Sequence, residues 1–440
     1  MFPTQGIKLR GMHGEYLVKK KIGHGGNGAV FSVDIINGDE YVPKEMEWAV
    51  KFLVANPQDE RELKKRRERF QKEIEEVRIL QEKVDGILPI YDSSINCEKQ
   101  QENLWYLMPL ATGYEPGDFL LLEKLEQLLQ LGTCIKKLHD LGYAHRDIKP
   151  KNLLLYRNRI YLSDFGLVWN QHNTDEHITE VNDQLGPMAI RPPELQPVKN
   201  VKEIDYRKSD VYLFAKTVWM ILCCNRNGFS REYSRTIDSI CFDSDKLQVE
   251  TAEPLHRMME GATKTNYWER ISIDDCIGHI TDQINLIKGN ILESVVLQWK
   301  YNERVLKIEG STPSSERIYN DQPSILKILN ELSGMVALVF CEPGKEYPQL
   351  PLRRASAIKN NIFELEVITP VAGIRNKTLF MAIKHVCMGQ DKSFQLCTEF
   401  CQSNIFERNV CSKIDEVLLK SEKKAYLNGS YTIKLIQTQG

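Results

Sequence analysis

Eight consecutive residues in the middle of the chain combine acidic, basic and amide side chains at close spacing. Residues 145–152 read His-Arg-Asp-Ile-Lys-Pro-Lys-Asn, and Asp164-Phe165-Gly166 begins twelve residues after Asn152. Carboxylate and amide oxygens are the hard ligands that Mg²⁺ prefers, and a lysine beside them can neutralise a phosphate. The types and spacing of these residues therefore predict a site for metal ions and a phosphate group.

The two segments resemble the catalytic loop and the metal-binding loop of the protein kinase family, in its serine/threonine branch. The resemblance implies that Asp147 accepts the proton of the substrate hydroxyl and that Lys149 neutralises the γ-phosphate during transfer. It also implies that Asn152 and Asp164 hold two Mg²⁺ ions, with Mn²⁺ as an alternative metal. The implied cofactors are ATP and Mg²⁺, and the implied reaction is phosphorylation of Ser or Thr hydroxyls in a protein substrate.

A glycine-rich turn near the N-terminus lies between two predicted strands. Residues 23–30 read Gly-His-Gly-Gly-Asn-Gly-Ala-Val, whereas a dinucleotide-binding fingerprint would open a helix. A strand–turn–strand loop looks like the flap over the nucleotide phosphates in protein kinases, since a backbone without Cβ atoms can approach phosphates closely. The resemblance gives this role to Gly23, Gly25 and Gly28.

Lys51 lies on the next predicted strand, in Ala49-Val50-Lys51. By itself it would be interpreted as an ordinary strand lysine, but the resemblance makes it the lysine that holds the α- and β-phosphates. Such a lysine needs a carboxylate to hold it in place. The resemblance favours Glu73 of the following helix, with Glu76 one turn away as the alternative.

The resemblance also implies an adenine pocket. Met108 takes the position of the gatekeeper at the back of the pocket, and residues 109–111 take that of the hinge, whose backbone binds the adenine edge. The residues implied to contact the adenine are Val30, Ala49, Met108, Leu110 and Leu154.

Hydrophobic periodicity predicts the elements that position these residues. Residues 15–54 read as an antiparallel meander of strands, residues 58–83 as a helix, and residues 104–110 as a strand. Helices dominate from Leu122 onward, and Lys208–Cys224 is a second helix that is more apolar than the first. The predicted class is α+β.

The resemblance implies that these elements form a bilobal protein kinase fold. The kinase domain is predicted over residues 15–287, with a β-rich N-lobe over about residues 15–110 and an α-helical C-lobe over about residues 111–287. The family also implies three supporting interactions: a Glu194–Arg270 ion pair, binding of the catalytic-loop backbone by Asp210, and a stack of Val77, His145 and Phe165.

The activation segment departs from the family pattern. Pro187 stands where serine/threonine kinases usually have a threonine, seven residues before Glu194. Thr174 and Thr179 are the candidate phosphorylation sites of this segment, and Arg146 is expected to clamp the phosphate because no other partner for it is evident. The identity of the phosphate acceptor stays open.

The last third of the chain resembles no family. Residues 288–323 are predicted to be a helical connector followed by a linker, and residues 324–440 to be a small separate α+β domain of unknown function. Its predicted helices are 324–332 and 377–388, and its predicted strands are 335–340, 363–369 and 431–436.

Four cysteines and a histidine cluster in this domain. Cys387, Cys397, Cys401 and Cys411 lie near His385, but only the central pair has the spacing of a metal knuckle. Zinc is therefore the minority interpretation. Core thiols, with Cys397 and Cys401 on one helical face, are favoured.

Composition excludes several classes of protein. The 440-residue chain carries a net charge of −2 and is 42% hydrophobic, which is ordinary for a soluble globular protein and predicts neither nucleic-acid nor membrane binding. No apolar run approaches the roughly 20 residues that span a bilayer, and the N-terminus lacks a signal-peptide pattern. Eleven cysteines then favour free thiols in a reducing cytoplasm.

Three functions compete for the predicted site. An active protein kinase is favoured because the phosphate and metal ligands are all present. The alternatives are a pseudokinase that acts as a nucleotide-binding signalling module, and a small-molecule kinase, against which the Glu194–Arg270 pair argues. Regulation is expected through the activation segment and the C-terminal domain. Dimerisation for trans-autophosphorylation stays open.

Overall fold

The computed structural model describes the chain from Gln5 to Lys434, apart from internal segments. Outside the described residues lie 1–4, 26–27, 54–59, 96–103, 172–189, 196–203, 310–316, 335–336, 343–344, 347–349, 360, 368–376, 390–393, 399–429 and 435–440. Contacts between residues divide the chain into two units. The first comprises residues 1–234 and 254–288, and the second comprises residues 235–253 and 289–440.

A six-stranded antiparallel sheet opens the first unit. Its strands run in the order β1-β2-β3-β4-β6-β5. They are β1 (Lys8–Arg10), β2 (Gly14–Gly25), β3 (Gly28–Gly38), β4 (Trp48–Leu53), β5 (Asp92–Ser93) and β6 (Trp105–Pro109). The predicted meander and the predicted strand at 104–110 are confirmed.

Side chains that alternate along β3 and β4 give the sheet one face that packs in the core and another face that carries the candidate site. Ala29, Phe31 and Val33 are buried in the hydrophobic cluster of the sheet together with alternate residues of β4. Successive side chains of a strand point to opposite faces, so Val30 and Lys51, which are directly paired across the two strands, share the other face. The period of two therefore places the candidate lysine beside the glycine-rich turn.

The predicted helix at 58–83 is confirmed as α1 (Glu60–Leu80). Phe70, Ile74, Val77 and Leu80 are buried at spacings of three or four residues, which is one face of a helix. Glu73 lies on the same face and is only 3% exposed. Because an unpaired buried carboxylate is costly, the position of Glu73 requires a partner from the sheet.

The rest of the first unit is mainly helical. Its helices are α2 (Leu121–Asp140), α3 (Tyr206–Leu222), α5 (Glu253–Ala262) and α6 (Ile273–Ile287), and the predicted helix at 208–224 is thus confirmed as α3. Its short strands are β7 (Thr112–Gly113), β8 (Tyr143–Ala144), β9 (Leu153–Tyr156), β10 (Arg159–Leu162) and β11 (Trp169–Asn170). The antiparallel pairs β9–β10 and β8–β11 frame the loops that carry the candidate catalytic residues.

A lysine lies fully buried within α3. The Nζ of Lys216 donates to the carbonyls of Phe229 and Arg231 and lies 3.2 Å from the centroid of the Phe229 ring. Burial lowers the pKa of Lys216 from 10.5 to about 6, against the opposing charge of Glu232. The folded chain is therefore expected to hold Lys216 neutral above pH 6.

This shift predicts a pH dependence of stability. Between pH 6 and 10.5 the unfolded chain binds a proton at Lys216 that the folded chain lacks, so stability rises with pH across this window. Lys216→Met should remove up to about 1.4 kcal/mol per pH unit of that slope, which corresponds to roughly 3–6 °C in melting temperature per pH unit. Melting curves at pH 7, 8 and 9 test this, with Lys64→Met as control, because the side chain of Lys64 is 80% exposed. Equal slopes in wild type and Lys216→Met would contradict it.

The second unit is built on an eight-stranded antiparallel sheet. Its strands are β12 (Arg317–Tyr319), β13 (Ala337–Glu342), β14 (Lys345–Glu346), β15 (Leu350–Lys359), β16 (Ile362–Val367), β17 (Lys377–Met388), β18 (Phe394–Thr398) and β19 (Ser430–Lys434). Its helices are α4 (Ser244–Leu247), α7 (Glu293–Glu309) and α8 (Gln322–Glu331). Seven of the strands follow the order β12-β17-β16-β15-β13-β19-β18, and the eighth, β14, pairs with β13 off this path. β18 also pairs with β17, which closes the sheet on itself.

The structure corrects two predictions in this unit. Lys377–Met388 is strand β17 and not a helix, because pairing with β16, β12 and β18 overrides an apolar run whose periodicity suits either element. Cys397 therefore lies on strand β18 and not on a helical face, while Cys401 and Cys411 lie outside the described residues.

The predicted linker also contains regular structure. Arg317–Tyr319 forms strand β12, and the carboxylate of Asp321 caps α8 by accepting a hydrogen bond from the backbone of Ser324 at 2.8 Å. The predicted helix at 324–332 and the predicted strands at 335–340, 363–369 and 431–436 are confirmed within a few residues.

Within the described segments, none of the helices combines the length and hydrophobicity that a membrane crossing requires.

Candidate active site

The loop that carries Asp147 is fixed to helix α3. The fully buried carboxylate of Asp210 accepts hydrogen bonds from the backbone N–H groups of His145 and Arg146, both at 2.7 Å. Arg146 has a φ of 64°, a left-handed conformation that a non-glycine residue adopts only when its surroundings impose it. Asp210 thus makes the contact that the resemblance implied, and it holds the loop in a fixed shape.

Three predicted site residues meet at Asp147. The ammonium of Lys149 donates to both carboxylate oxygens of Asp147, at 2.8 and 2.6 Å. The side-chain amide of Asn152 donates to the carbonyl and to Oδ2 of Asp147, at 2.8 and 2.9 Å. Because its nitrogen is used in these bonds, the amide oxygen of Asn152 is the atom that remains for a cation.

Asp164 lies close to this group, directly after β10. The backbone N–H and the hydroxyl of Ser163 both donate to the carbonyl of Asn152 at 2.9 Å, which keeps Asp164 next to Asn152. The Asp164 carboxylate lies 3.5 Å from the Nζ of Lys51. The charge of Lys51 lowers the pKa of Asp164 and outweighs the opposing effect of burial, so the carboxylate is ionised and can bind a metal.

His145 is a neutral side chain in the centre of the site. Its Nδ1 accepts the backbone N–H of Asp147 and its Nε2 lies 3.2 Å from the carbonyl of Ser163, so the proton belongs on Nε2. Burial lowers the pKa of His145, which agrees with this assignment. The ring packs edge-on against Phe165 at 4.7 Å, and Val77 is buried as well.

Lys51 is paired with Glu73 and not with Glu76. The Nζ of Lys51 lies 2.8 and 3.1 Å from the two carboxylate oxygens of Glu73. Burial alone would lower the pKa of Lys51, but the charge of Glu73, with a smaller contribution from Asp164, raises it well above its usual value. The pair therefore connects α1 to β4 through an ammonium whose positive charge is stabilised by Glu73.

Tyr106 is a site residue that the sequence analysis missed. Its hydroxyl donates to Glu73 Oε1 at 2.8 Å, and its ring lies 5.4 Å from the ammonium of Lys51. Lys51 and Tyr106 are direct cross-strand partners on β4 and β6. A polar ring in an otherwise apolar predicted strand was the available signal, but the sequence does not give the register of the two strands.

Removing this hydroxyl should weaken the site. Tyr106→Phe leaves the buried Glu73 without one of its hydrogen bonds, and a bond to a charged group contributes roughly 1.5–3 kcal/mol. We expect about a tenfold loss of kcat/KM for ATP and a lower melting temperature, because the same buried bond also stabilises the fold. Steady-state kinetics measure the effect, and Tyr41→Phe on the exposed Tyr41 is the control. A Tyr106→Phe enzyme with wild-type kcat/KM would show that Lys51 alone positions Glu73.

The strands β2 and β3 pair with each other up to the residues that flank the glycine-rich turn. Gly25 pairs with Gly28, and Gly23 pairs with Val30. A Cβ at Gly28 would lie 2.6 Å from the carbonyl of Phe52, so the fold itself requires glycine there. At Gly23 the nearest atom would be 3.7 Å away, so the fold alone does not demand glycine at that position.

The residues predicted to line the adenine pocket lie on or next to strands of two different sheets. Ala49 and Met108 are cross-strand partners, and Leu154 on β9 pairs with Gly113. The N–H of Leu110 donates to the carbonyl of Glu47 at 2.8 Å. A nucleotide edge would therefore have to use other backbone groups of the hinge.

A buried ion pair ends the activation segment. The guanidinium of Arg270 donates to both oxygens of Glu194, at 2.6 and 2.8 Å, and the hydroxyl of Ser209 donates to Glu194 Oε1 at 2.7 Å. Bidentate geometry with an additional hydrogen bond is what a buried pair needs to offset its desolvation. The pair implied by the resemblance is thus present.

The premise that Arg146 has no other partner is wrong. Its Nε donates to the carbonyl of Leu167 at 2.6 Å, and its guanidinium lies 4.9 Å from the ring centroid of Tyr206. Arg146 is also buried, so it is not the partnerless arginine that motivated the phosphate clamp. Thr174, Thr179 and Pro187 lie outside the described residues.

Comparison with known proteins agrees with this geometry. The family model of the protein kinase domain matches residues 16–280. The chain is 27% identical over 223 residues to the serine/threonine-protein kinase PknH of Mycobacterium bovis, which covers 49% of this chain and 34% of that protein. It is 32% identical over 141 residues to the serine/threonine-protein kinase CHK1 of Saccharomyces cerevisiae. This match covers 29% of this chain and 24% of CHK1.

These similarities are confined to one part of the proteins compared. The chain spans about a third of the length of PknH, and less of CHK1. The family match, in contrast, covers more than half of this chain and contains every residue of the candidate active site. The chain belongs to the protein kinase family.

Proposed function

We propose that this protein is an ATP-dependent protein kinase that transfers the γ-phosphate of ATP to Ser or Thr hydroxyls of a protein substrate. One observation carries the proposal. Asp147, Lys149 and Asn152 form one hydrogen-bonded group, and Lys51 ties Asp164 to Glu73 in a second. Phosphoryl transfer depends mainly on positioning and charge stabilisation, and these two groups supply both.

We propose the following roles for the charged residues. Asp147 accepts the proton of the substrate hydroxyl while the oxygen of that hydroxyl forms a bond to the γ-phosphorus. At the same time the bond between the γ-phosphorus and the β,γ-bridging oxygen breaks, and ADP leaves with that oxygen. Lys149, already 2.6 Å from Asp147, neutralises charge on the transferring group. Lys51 holds the α- and β-phosphates, and Glu73 fixes Lys51.

The donor set suits Mg²⁺. Asn152 offers an amide oxygen and Asp164 an ionised carboxylate, and both are hard ligands. Bound Mg²⁺ supplies positive charge that neutralises the phosphate oxygens. Few protein ligands at such a site are normal, because Mg²⁺ keeps several waters and phosphate oxygens. The same donors would accept Mn²⁺.

We propose that Gly23, Gly25 and Gly28 cover the phosphates and that Val30, Ala49, Met108, Leu110 and Leu154 surround the adenine. The shared face of Val30 and Lys51 and the Ala49–Met108 pairing support this placement. The bond between Leu110 and Glu47 leaves side-chain contact as the contribution of Leu110.

We also propose the domain division and the mode of control. Residues 15–287 form the kinase domain, and residues 324–440 form a separate domain in a cytoplasmic protein. Control through the activation segment and the C-terminal domain would act on the Lys51–Glu73 pair, since the pair links the position of α1 to phosphate binding. Dimerisation would serve phosphorylation of one copy by another.

A phosphate-transfer assay tests the proposal. The full chain is incubated with γ-³²P-labelled ATP, Mg²⁺ and a panel of basic and acidic acceptor proteins, and labelled acceptors are hydrolysed for phosphoamino-acid analysis. Label on phosphoserine or phosphothreonine that needs Mg²⁺ is the expected result. Nucleotide binding without any transfer would favour a pseudokinase, and label on small molecules alone would favour a small-molecule kinase.

A further inference from the structure

Three metal-ligating side chains converge in the second unit, where β17 pairs with β18. A ring nitrogen of His385 and the sulfur atoms of Cys387 and Cys397 all lie within 4.8 Å of one another. The first two residues are on β17 and the third is on β18. We call this group the thiol–imidazole cluster.

The strand register explains why these side chains meet. His385 and Cys397 are direct cross-strand partners, and Cys387 is two residues from His385, so all three share one face of the sheet. Their neighbours Val386 and Leu396 are fully buried on the opposite, core-facing side. The three cluster residues are only half-buried, so the cluster lies on the outer face, where an ion could reach it.

We propose that the thiol–imidazole cluster is a Zn²⁺ site. Two thiolates and one imidazole are the donors that Zn²⁺ takes in proteins, and they exclude Mg²⁺ and Ca²⁺, which require oxygen ligands. Zinc bonds of about 2.3 Å to sulfur and 2.0–2.1 Å to nitrogen put tetrahedral ligands about 3.5–3.8 Å apart. The separations present, all within 4.8 Å, exceed this spacing by at most a little over about 1 Å. Water or a further donor takes the fourth position.

A disulfide is the competing fate of these cysteines. Cys397 lies opposite His385 and not opposite Cys387, whose cross-strand partner is Gln395. Diagonal neighbours on a sheet are about 7–8 Å apart at Cα, which exceeds the separation that disulfides normally span. Neither cysteine forms a disulfide in the structure. The geometry therefore favours a shared ligand over a covalent bond.

The position of the cluster gives the ion a structural role. β18 pairs with both β19 and β17, and the β17–β18 pairing is the contact that closes the sheet on itself. An ion bound to both strands would hold this closure from outside, while the buried side chains hold it from inside. The unfolded chain has no preformed site, so zinc binds the folded unit in preference to the unfolded chain. Its binding therefore adds to the free energy of unfolding of the second unit.

Metal analysis of the full chain tests the proposal. Protein is purified without chelator, and zinc is measured by mass spectrometry in wild type, His385→Asn, Cys387→Ser, Cys397→Ser and the control Cys224→Ser, whose exposed thiol lies in the first unit. Wild type and control should hold about one zinc per chain, and each cluster variant should hold less than about a tenth of that. Zinc retained in all three cluster variants, which would mean that other cysteines hold it, overturns the proposal.

A second measurement on wild-type protein does not depend on the folding of the variants. The chain is stripped with a chelator and titrated with Co²⁺, which reports its ligands by absorption. Thiolate-to-cobalt charge transfer with the visible bands of a tetrahedral site, lost on addition of Zn²⁺, is the expected result. An octahedral, oxygen-type spectrum overturns the proposal, as does a Cys387–Cys397 disulfide found by peptide mapping of freshly purified, alkylated protein.

Discussion

Asp147→Asn should lower kcat by about 10²–10⁴-fold, the usual contribution of a general base, while the affinity for MgATP stays close to that of wild type. Asparagine has the shape of aspartate, and its one amide oxygen, in the place of Oδ2, can still accept the hydrogen bonds from Lys149 and Asn152. It lacks the negative charge that receives the hydroxyl proton. The loss should therefore fall on the chemical step and not on nucleotide binding.

Two measurements separate these effects. Single-turnover phosphate transfer gives the rate of the chemical step, and titration calorimetry with MgATP gives the affinity. Asp140→Asn is a matched control, because Asp140 is an exposed aspartate at the end of α2. An Asp147→Asn enzyme as fast as wild type would end the assignment of Asp147 as the base, whereas an inactive wild type would end the kinase proposal itself.

Lys51→Met should lower turnover and nucleotide affinity together. The methionine fills the space but contributes no charge to the phosphates, and it leaves the buried carboxylate of Glu73 with the hydroxyl of Tyr106 as its remaining contact among those described above. Removing one partner of a buried pair costs about 3–5 kcal/mol. We expect at least a hundredfold loss of kcat/KM and a clear rise in the dissociation constant for MgATP.

A double-mutant cycle tests whether this effect passes through Glu73. Glu73→Gln, Lys51→Met and the double variant are compared for MgATP affinity, with Lys64→Met on the exposed side of α1 as control. Because the two side chains touch, their effects should be non-additive by roughly 0.5–3 kcal/mol. Additive effects would mean that Lys51 binds nucleotide without help from Glu73.

The candidate site was largely predictable because its signals are local. The run from His145 to Asn152 and the Asp164-Phe165-Gly166 segment are short, and each occupies a single loop. The residue types and their spacing in such a short segment can be identified in the sequence without knowledge of the surrounding tertiary structure. The helical period of α1 was equally visible, since buried apolar residues recur every three or four positions.

Contacts between distant segments were not predictable in the same way. The choice of Glu73 over Glu76 could be inferred only through a resemblance, and the structure shows it as a 2.8 Å contact. Tyr106 was missed because its partnership with Lys51 depends on the register of β4 against β6. The partners of Arg146 come from residues 21 and 60 positions away, which no local pattern encodes.

The C-terminal unit shows the limit most clearly. An apolar run such as Lys377–Met388 suits a helix or a strand, and only pairing with three other strands makes it β17. That outcome also places Cys397 opposite His385, which cysteine spacing alone did not indicate.

The sequence by itself determined which residues can carry out phosphoryl transfer, because side-chain chemistry is a property of each residue. The tertiary structure alone decided which distant side chains meet, because strand register and helix packing depend on the free energy of the whole fold.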